Sequence, residues 1–225
     1  MNRGFQAVVL DMDGLVLDSE RTYRAAWEKA AEDLGYRLDD AFWDTVIGLQ
    51  YADVERRLLS VCGETLSLSG FRELSKRHWY RYVDEHGIAV KPGLWELFDV
   101  LTGLSLDYCL ATNSRLANAE ECLALAGLTG RFGVVVARDH VQHAKPAPDL
   151  FLEAARRMET AASNCLAVED SDVGIRAAAL AGMMPLMVPG TLRPSEESRR
   201  LACRILNSLS DVADLIREKA RQGTA

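Results

Sequence analysis

A chain of 225 residues with 48% apolar and 26% charged side chains has the makings of one large globular domain, or of one domain carrying a smaller one. Its formal net charge of −7 excludes a general attraction to nucleic acid or to an anionic membrane surface, while leaving room for a local basic pocket that holds a small anion. No apolar run is long enough to cross a bilayer and the N-terminus carries no signal-like segment, so a cytoplasmic protein without a membrane partner is expected.

The first element is FQAVVL (5–10), a continuous apolar run of the kind found in strands buried on both faces. It ends abruptly in Asp11, Met12, Asp13 and Gly14. From about residue 16 to 87 only helical patterns follow: RTYRAAWEKAAEDLG, AFWDTVIG, YADVERRLLSVCG and GFRELSKRHWYRYVDEHG. In the first of them Tyr23, Ala26, Trp27, Ala30, Ala31 and Leu34 recur at i, i+3, i+4 spacing, the stripe of a packed helix. Asp18 and Glu20 suit a helix N-terminus, and Trp79, Tyr80 and Tyr82 are expected in the core of this helical segment.

Strand and helix then alternate. LWELFDVLTG (94–103) reads as a helix and LDYCLA (106–111) as a strand, followed by a helix over 118–127 that stops at Gly127. GVVVA (133–137) is a strand, DLFLEAARRM (149–158) a helix and CLAVE (165–169) a strand. A helix over 173–182 stops at Gly182, PLMVP (185–189) is a fifth strand, and LSDVADLIREKARQGTA closes the chain as a surface helix. This order predicts an α/β fold, a Rossmann-like parallel sheet with helices on both faces. The core spans about 1–15 and 88–225, and an all-helical domain over 16–87 is inserted into it. The five cysteines form no CxxC pair and are expected as small buried hydrophobes in a reducing compartment.

Ligands of open parallel sheets bind outside the carboxyl ends of the strands. There the sequence places Asp11 and Asp13 after the first strand, Thr112, Asn113 and Ser114 after the second, Lys145 in the loop after the third, and Glu169, Asp170, Ser171 and Asp172 at the fourth. Several carboxylates suit a hard cation such as Mg²⁺, and the hydroxyls, backbone N–H groups and Lys145 suit a phosphate. His140 and His143 lack further ligands in their loop and are not read as a metal pair; Ser171 is assigned to capping the next helix, and Asp172 to capping or bracing. Pro146 and Pro148 are expected to stiffen the loop that presents Lys145.

The ordered set DMDGLVLDSE, LATNS, KPAPD and VEDSDVG resembles the four signature motifs of the haloacid dehalogenase superfamily, and the helical insertion resembles its C1-type cap. The wording is similar to that of the β-phosphoglucomutase-like phosphatases and mutases. The resemblance implies that Asp11 is a nucleophile forming an aspartyl-phosphate, Asp13 a general acid and base, and Thr112, Asn113 and Lys145 stabilisers of the phosphoryl charge. It also implies Mg²⁺ held by Asp11, Asp13, Asp170 and Glu169. Specificity would come from Tyr23, Gln50, Tyr51 and Lys76 of the cap, closing over a small phosphorylated sugar or polyol.

The resembling mutases carry a His at the place of Tyr23 and an Arg soon after the Gly at position 48, where this chain has Leu49, Gln50 and Tyr51. Those departures favour hydrolysis over a sugar phosphomutase. Dehalogenation needs no Mg²⁺ and leaves Asp13 without a task. A phospho-accepting receiver or regulatory module is a non-enzymatic alternative, but it places its acceptor Asp on a later strand and has no helical insertion.

Overall fold

The computed structural model describes residues 4–46, 49, 51–190 and 192–222. The chain divides into two compact units, Met1–Leu17 with Val90–Ala225, and Asp18–Ala89. Among the described residues no helix is long and apolar enough to cross a membrane.

The first unit is built on a six-stranded parallel sheet. Its strands are β1 (Ala7–Leu10), β2 (Asp107–Ala111), β3 (Val135–Val136), β4 (Cys165–Glu169), β5 (Met184–Met187) and β6 (Arg204–Ile205), in the spatial order 3-2-1-4-5-6. This is the doubly wound order, with successive crossovers running one way from β1 and the other way from β4, so a crevice opens at the carboxyl ends of those neighbours. Every residue of β1 and β4 is buried, which is why both read as unbroken apolar runs and not as alternation.

Each alternate side chain serves one layer. Ala7, Val9, Cys109, Ala111 and Ala167 point to the face covered by α7 (Asp149–Arg157) and α8 (Asp172–Leu180), whose Leu150, Phe151, Ala154, Ala177 and Ala178 complete a single cluster. The small residues of α8 let it lie close to the strands. Two further helices, α5 (Leu94–Gly103) and α10 (Leu209–Gln222), pack on each other, with α5 also against β2.

The second unit is all helical: α1 (Ser19–Asp33), α2 (Asp40–Asp44), α3 (Tyr51–Cys62) and α4 (Leu68–His86). Its core holds Trp27, Ala30, Ala31, Trp43, Val54, Leu58, Leu66 and Phe71, with Tyr23 and Leu34 packed against it, so the stripe expected on the first helix is the face that is buried. Helices α1 and α4 are tied by the Trp79 indole N–H donating to the Thr22 hydroxyl at 2.9 Å. Of the three aromatics expected inside, Trp79 is buried, Tyr82 is half-buried and stacks on His86, and Tyr80 is exposed. The pattern over AFWDTVIG yields only the five-residue α2, capped by Asp39, whose carboxylate accepts from Phe42 N–H.

Two elements escape the sequence pattern. The helix α9 (Glu196–Leu201) reads EESRRL and lacks an apolar stripe; it starts because the Ser195 hydroxyl accepts from the Ser198 N–H. Strand β6 is two exposed residues at a sheet edge, too short to leave a pattern. The helix around residue 118 begins earlier than expected, as α6 (Leu116–Leu125), where the Asp139 carboxylate accepts from the Leu116 N–H.

The cysteines also separate. Cys109, Cys122 and Cys165 are buried, but Cys62 is only half-buried and Cys203 is exposed, against the expectation of five buried thiols. Burial pushes the Cys109 thiol well above its ordinary range and the Cys165 thiol up to about 11. A thiol reacts as its thiolate. Titration of the folded protein with a chromogenic disulfide is therefore expected to modify Cys203 first, and Cys109, Cys122 and Cys165 only on unfolding. Mass mapping that finds Cys109 or Cys165 labelled in the folded protein would contradict this burial.

Candidate active site

Three strand ends set the site. The ladder continues one residue past β1, with Asp11 N–H donating to Val168 C=O at 3.1 Å, and one residue past β2, with Thr112 N–H donating to Val136 C=O at 2.9 Å. Glu169 is the last residue of β4. These bonds fix Asp11, Thr112 and Glu169 side by side at the carboxyl edge of the sheet.

Lys145 reaches into this group from the loop before α7. Its Nζ donates to Asp11 Oδ1 at 2.5 Å, to Glu169 Oε1 at 2.5 Å and to Ala111 C=O at 2.7 Å, which uses all three ammonium protons. The ammonium also stands 4.9 Å from the centre of the Phe151 ring. Lys145 and Glu169 are almost wholly shielded from solvent. Burial alone would lower the Lys145 pKa, but the charges of Asp11 and Glu169 outweigh it and hold the group above its ordinary value, a permanent cation. Burial pushes the Glu169 carboxyl upward; Lys145 opposes that shift and the Asp11 charge adds to it.

Ligand atoms of Asp11, Glu169 and Asp170 lie within 4.8 Å of one another, and among the described residues this is the one group so spaced for a metal ion. Their donors are hard oxygens, which fit Mg²⁺. Both oxygens of Glu169 already have protein partners, Oε1 with Lys145 and Oε2 with the Ser171 hydroxyl at 3.2 Å. Three glycines crowd the acids. A Cβ at Gly14, whose φ is +83°, would overlap the Asp170 carboxylate; one at Gly174 would overlap that of Glu169; and one at Gly190 would press within 3.0 Å of Asp170 Oδ2.

Asp13 is half-buried and accepts from the Ser114 hydroxyl at 3.0 Å. Thr112 is buried and its Oγ1 accepts from the Ser114 N–H at 3.0 Å, so it stabilises the turn after β2 and is not the cap of α6, which Arg115 precedes. The Asn113 side chain is bonded twice to the backbone of Lys145. Ser171 does cap α8, accepting from Gly174 N–H at 3.2 Å. Asp172 is the first residue of α8 and not its cap; its carboxylate accepts from Ser195 N–H at 3.1 Å. His140 accepts from Ala137 N–H and His143 pairs with Asp149, so the two histidines are separately engaged.

The structure thus brings together Asp11, Asp13, Thr112, Asn113, Lys145, Glu169 and Asp170. The residues expected to set specificity lie in the helical unit. Tyr23 is stacked between Trp27 at 5.9 Å and Trp79 at 5.8 Å, Tyr51 is 38% exposed with its ring 6.1 Å from Trp27, and exposed Lys76 stands 5.9 Å from the Tyr80 ring. Gln50 and Gly48 lie outside the described residues. The sequence offers Ser114 only as one of the hydroxyls after the second strand, without its bond to Asp13, and it gives Gly190 no role. Ser114 is the hydroxyl that closes LATNS, but no pattern tells which way it points.

A Rossmann-like parallel core with an inserted helical domain, and a lysine between two buried carboxylates at its strand ends, define a class that comparison with known proteins bears out. Residues 5–182 match the model of the haloacid dehalogenase-like hydrolases, and the chain belongs to that family. It is 34% identical over 197 residues to fructose-1-phosphate phosphatase YqaB of Escherichia coli, covering 81% of this chain and 96% of that protein. It is 28% identical over 181 residues to the phosphorylated carbohydrates phosphatase of Thermotoga maritima, covering 79% and 82%. Its fold matches a β-phosphoglucomutase-like protein of Thermotoga maritima with a TM-score of 0.83 over 95% of this chain and 99% of that one, at 24% identity. The chain is an enzyme of the family's phosphatase type.

Proposed function

We propose that this protein is a Mg²⁺-dependent phosphomonoester hydrolase that carries the phosphoryl group on Asp11. The observation that supports this most is the Lys145 ammonium fixed at 2.5 Å from both Asp11 and Glu169 at the carboxyl edge of the sheet. A nucleophilic carboxylate approaching a phosphate dianion needs its own charge offset and its direction fixed, and Lys145 does both for Asp11.

In the first step an Asp11 oxygen attacks phosphorus, the bond from phosphorus to the leaving oxygen breaks, and Asp13 gives that oxygen its proton. In the second, Asp13 takes a proton from water, whose oxygen attacks the same phosphorus; the bond to Asp11 breaks and phosphate leaves. The Ser114 hydroxyl orients Asp13 for both transfers. The Thr112 hydroxyl and the Asn113 N–H would donate to the phosphoryl oxygens. Asp11, Asp170 and the Asp13 carbonyl would hold Mg²⁺, with Glu169 bracing the site through Lys145 and Ser171. Bound there, the ion supplies charge neutralisation between nucleophile and phosphate.

The substrate class is a small phosphorylated sugar or polyol. This is supported by two relatives whose names specify fructose 1-phosphate and phosphorylated carbohydrates. Tyr23, Gln50, Tyr51 and Lys76 are the candidate specificity residues, and Tyr23 offers a stacked phenol where the resembling mutases have an imidazole. The test is phosphate release from p-nitrophenyl phosphate and a panel of sugar phosphates. Release is expected with Mg²⁺, to vanish with chelator and to return on adding Mg²⁺. No release under any of these conditions overturns the reading, and turnover of β-glucose 1-phosphate to the 6-phosphate replaces it by a mutase.

A further inference from the structure

Lys145 lies in a stretch, residues 141–148, that is neither helix nor strand, yet its ammonium is placed between two carboxylates. Something must fix where that side chain starts. Asn113, 32 residues earlier, does so with both ends of its carboxamide: Oδ1 accepts from the Lys145 N–H at 2.9 Å, and Nδ2 donates to the Lys145 C=O at 3.3 Å. The carboxamide thus imitates a neighbouring peptide unit and satisfies both backbone polar groups of one residue.

Asn113 is itself fixed. It follows Thr112, which is bonded to β3, and lies two residues beyond Ala111, whose carbonyl receives the Lys145 ammonium at 2.7 Å. Lys145 is therefore held at both ends by one short segment of chain, at its backbone by residue 113 and at its tip by residue 111. A backbone N–H for phosphate could come from any residue at 113; a reciprocal clamp of this span needs a side-chain carboxamide.

We propose that Asn113 is a positioning residue, whose carboxamide clamps the Lys145 backbone and thereby aims the ammonium at Asp11. The catalytic consequence rests on the phosphatase reading given above; the clamp itself does not. A misplacement of about 1 Å at a reacting group can cost about 10²-fold in rate.

The experiment is Asn113→Ala, which keeps the backbone N–H, with Asn113→Ser carrying the same measurements if the alanine variant does not fold. Hydrolysis of p-nitrophenyl phosphate with Mg²⁺ should show kcat down by about 10²-fold with KM little changed. Reductive methylation read by mass spectrometry should label Lys145 in the variant, while it stays protected in the unaltered protein, where its side chain is 2% exposed. An unchanged kcat overturns the proposal. So does a lowered kcat with Lys145 still protected, because Asn113 would then act elsewhere. Should the unaltered protein hydrolyse nothing, the phosphatase reading fails by itself, and labelling of Lys145 still decides whether the clamp exists.

Discussion

Asp11→Asn is expected to lower phosphate release by at least about 10⁴-fold while leaving the protein folded; loss of a covalent nucleophile costs on that order or more. The substitution is close to isosteric. Its amide oxygen can still accept from Lys145, and β1 still ends in the same bond from residue 11 to Val168. What goes is the charged oxygen able to form a bond to phosphorus. The readouts are steady-state phosphate release with Mg²⁺ and trapping of an acyl-phosphate by hydroxylamine, which cleaves such bonds. The unaltered enzyme should yield a hydroxamate at residue 11 during turnover, and the variant none. Near-normal activity in the Asp11→Asn variant would remove Asp11 from the covalent role.

How far this site is legible in the chain depends on what each residue needs. Strands β1 and β4 lie in the middle of a parallel sheet with both faces covered, so AVVL and CLAVE have to be almost continuously apolar, and the change to Asp11 or Asp170 marks where the strand meets the crevice. That makes the acidic cluster readable from one dimension, because parallel strands bring all their carboxyl ends to one edge. Helix α5 is legible to its observed bounds for a similar reason, having a wide apolar face.

Side-chain direction in loops is not readable. Asn113, Ser114 and Lys145 all lie in connections, where no period links position to orientation. Glu169 counts among the metal ligands by its place in the motif and does lie in the acidic group with Asp11 and Asp170, but its bonds to Lys145 and Ser171 leave no trace in the sequence. The short elements α9 and β6 are invisible because neither buries enough to require a pattern. In the helical unit the stripe through Ala26, Trp27, Ala30 and Ala31 is legible because packing demands it. The uses of Tyr23, Tyr51 and Lys76 are not, because recognition of a leaving group imposes no spacing.

Lys145→Met separates the two tasks of the lysine, holding the fold and aiming the nucleophile. Methionine has similar length but no charge, so Asp11 and Glu169 are left to face each other with Glu169 fully buried. Removing one partner of a buried ion pair costs about 3–5 kcal/mol because the other charge is stranded. The cost should depend on pH, and its sign follows from Glu169. Burial and the Asp11 charge raise its carboxyl above the ordinary value, Lys145 opposes them, and the variant loses that opposition. A carboxyl raised in the folded state binds its proton more tightly there than when unfolded. Its contribution favours folding below the unfolded value and is lost as pH climbs through the interval up to the folded value. The variant should therefore be most destabilised near about pH 8 and recover part of the deficit near about pH 5, as read from urea midpoints of both proteins at each pH. Adding Glu169→Gln removes the stranded charge and should restore stability at the higher pH without restoring hydrolysis. A deficit that is independent of pH, or that deepens in acid, would show that Lys145 does not neutralise Glu169 in the folded protein.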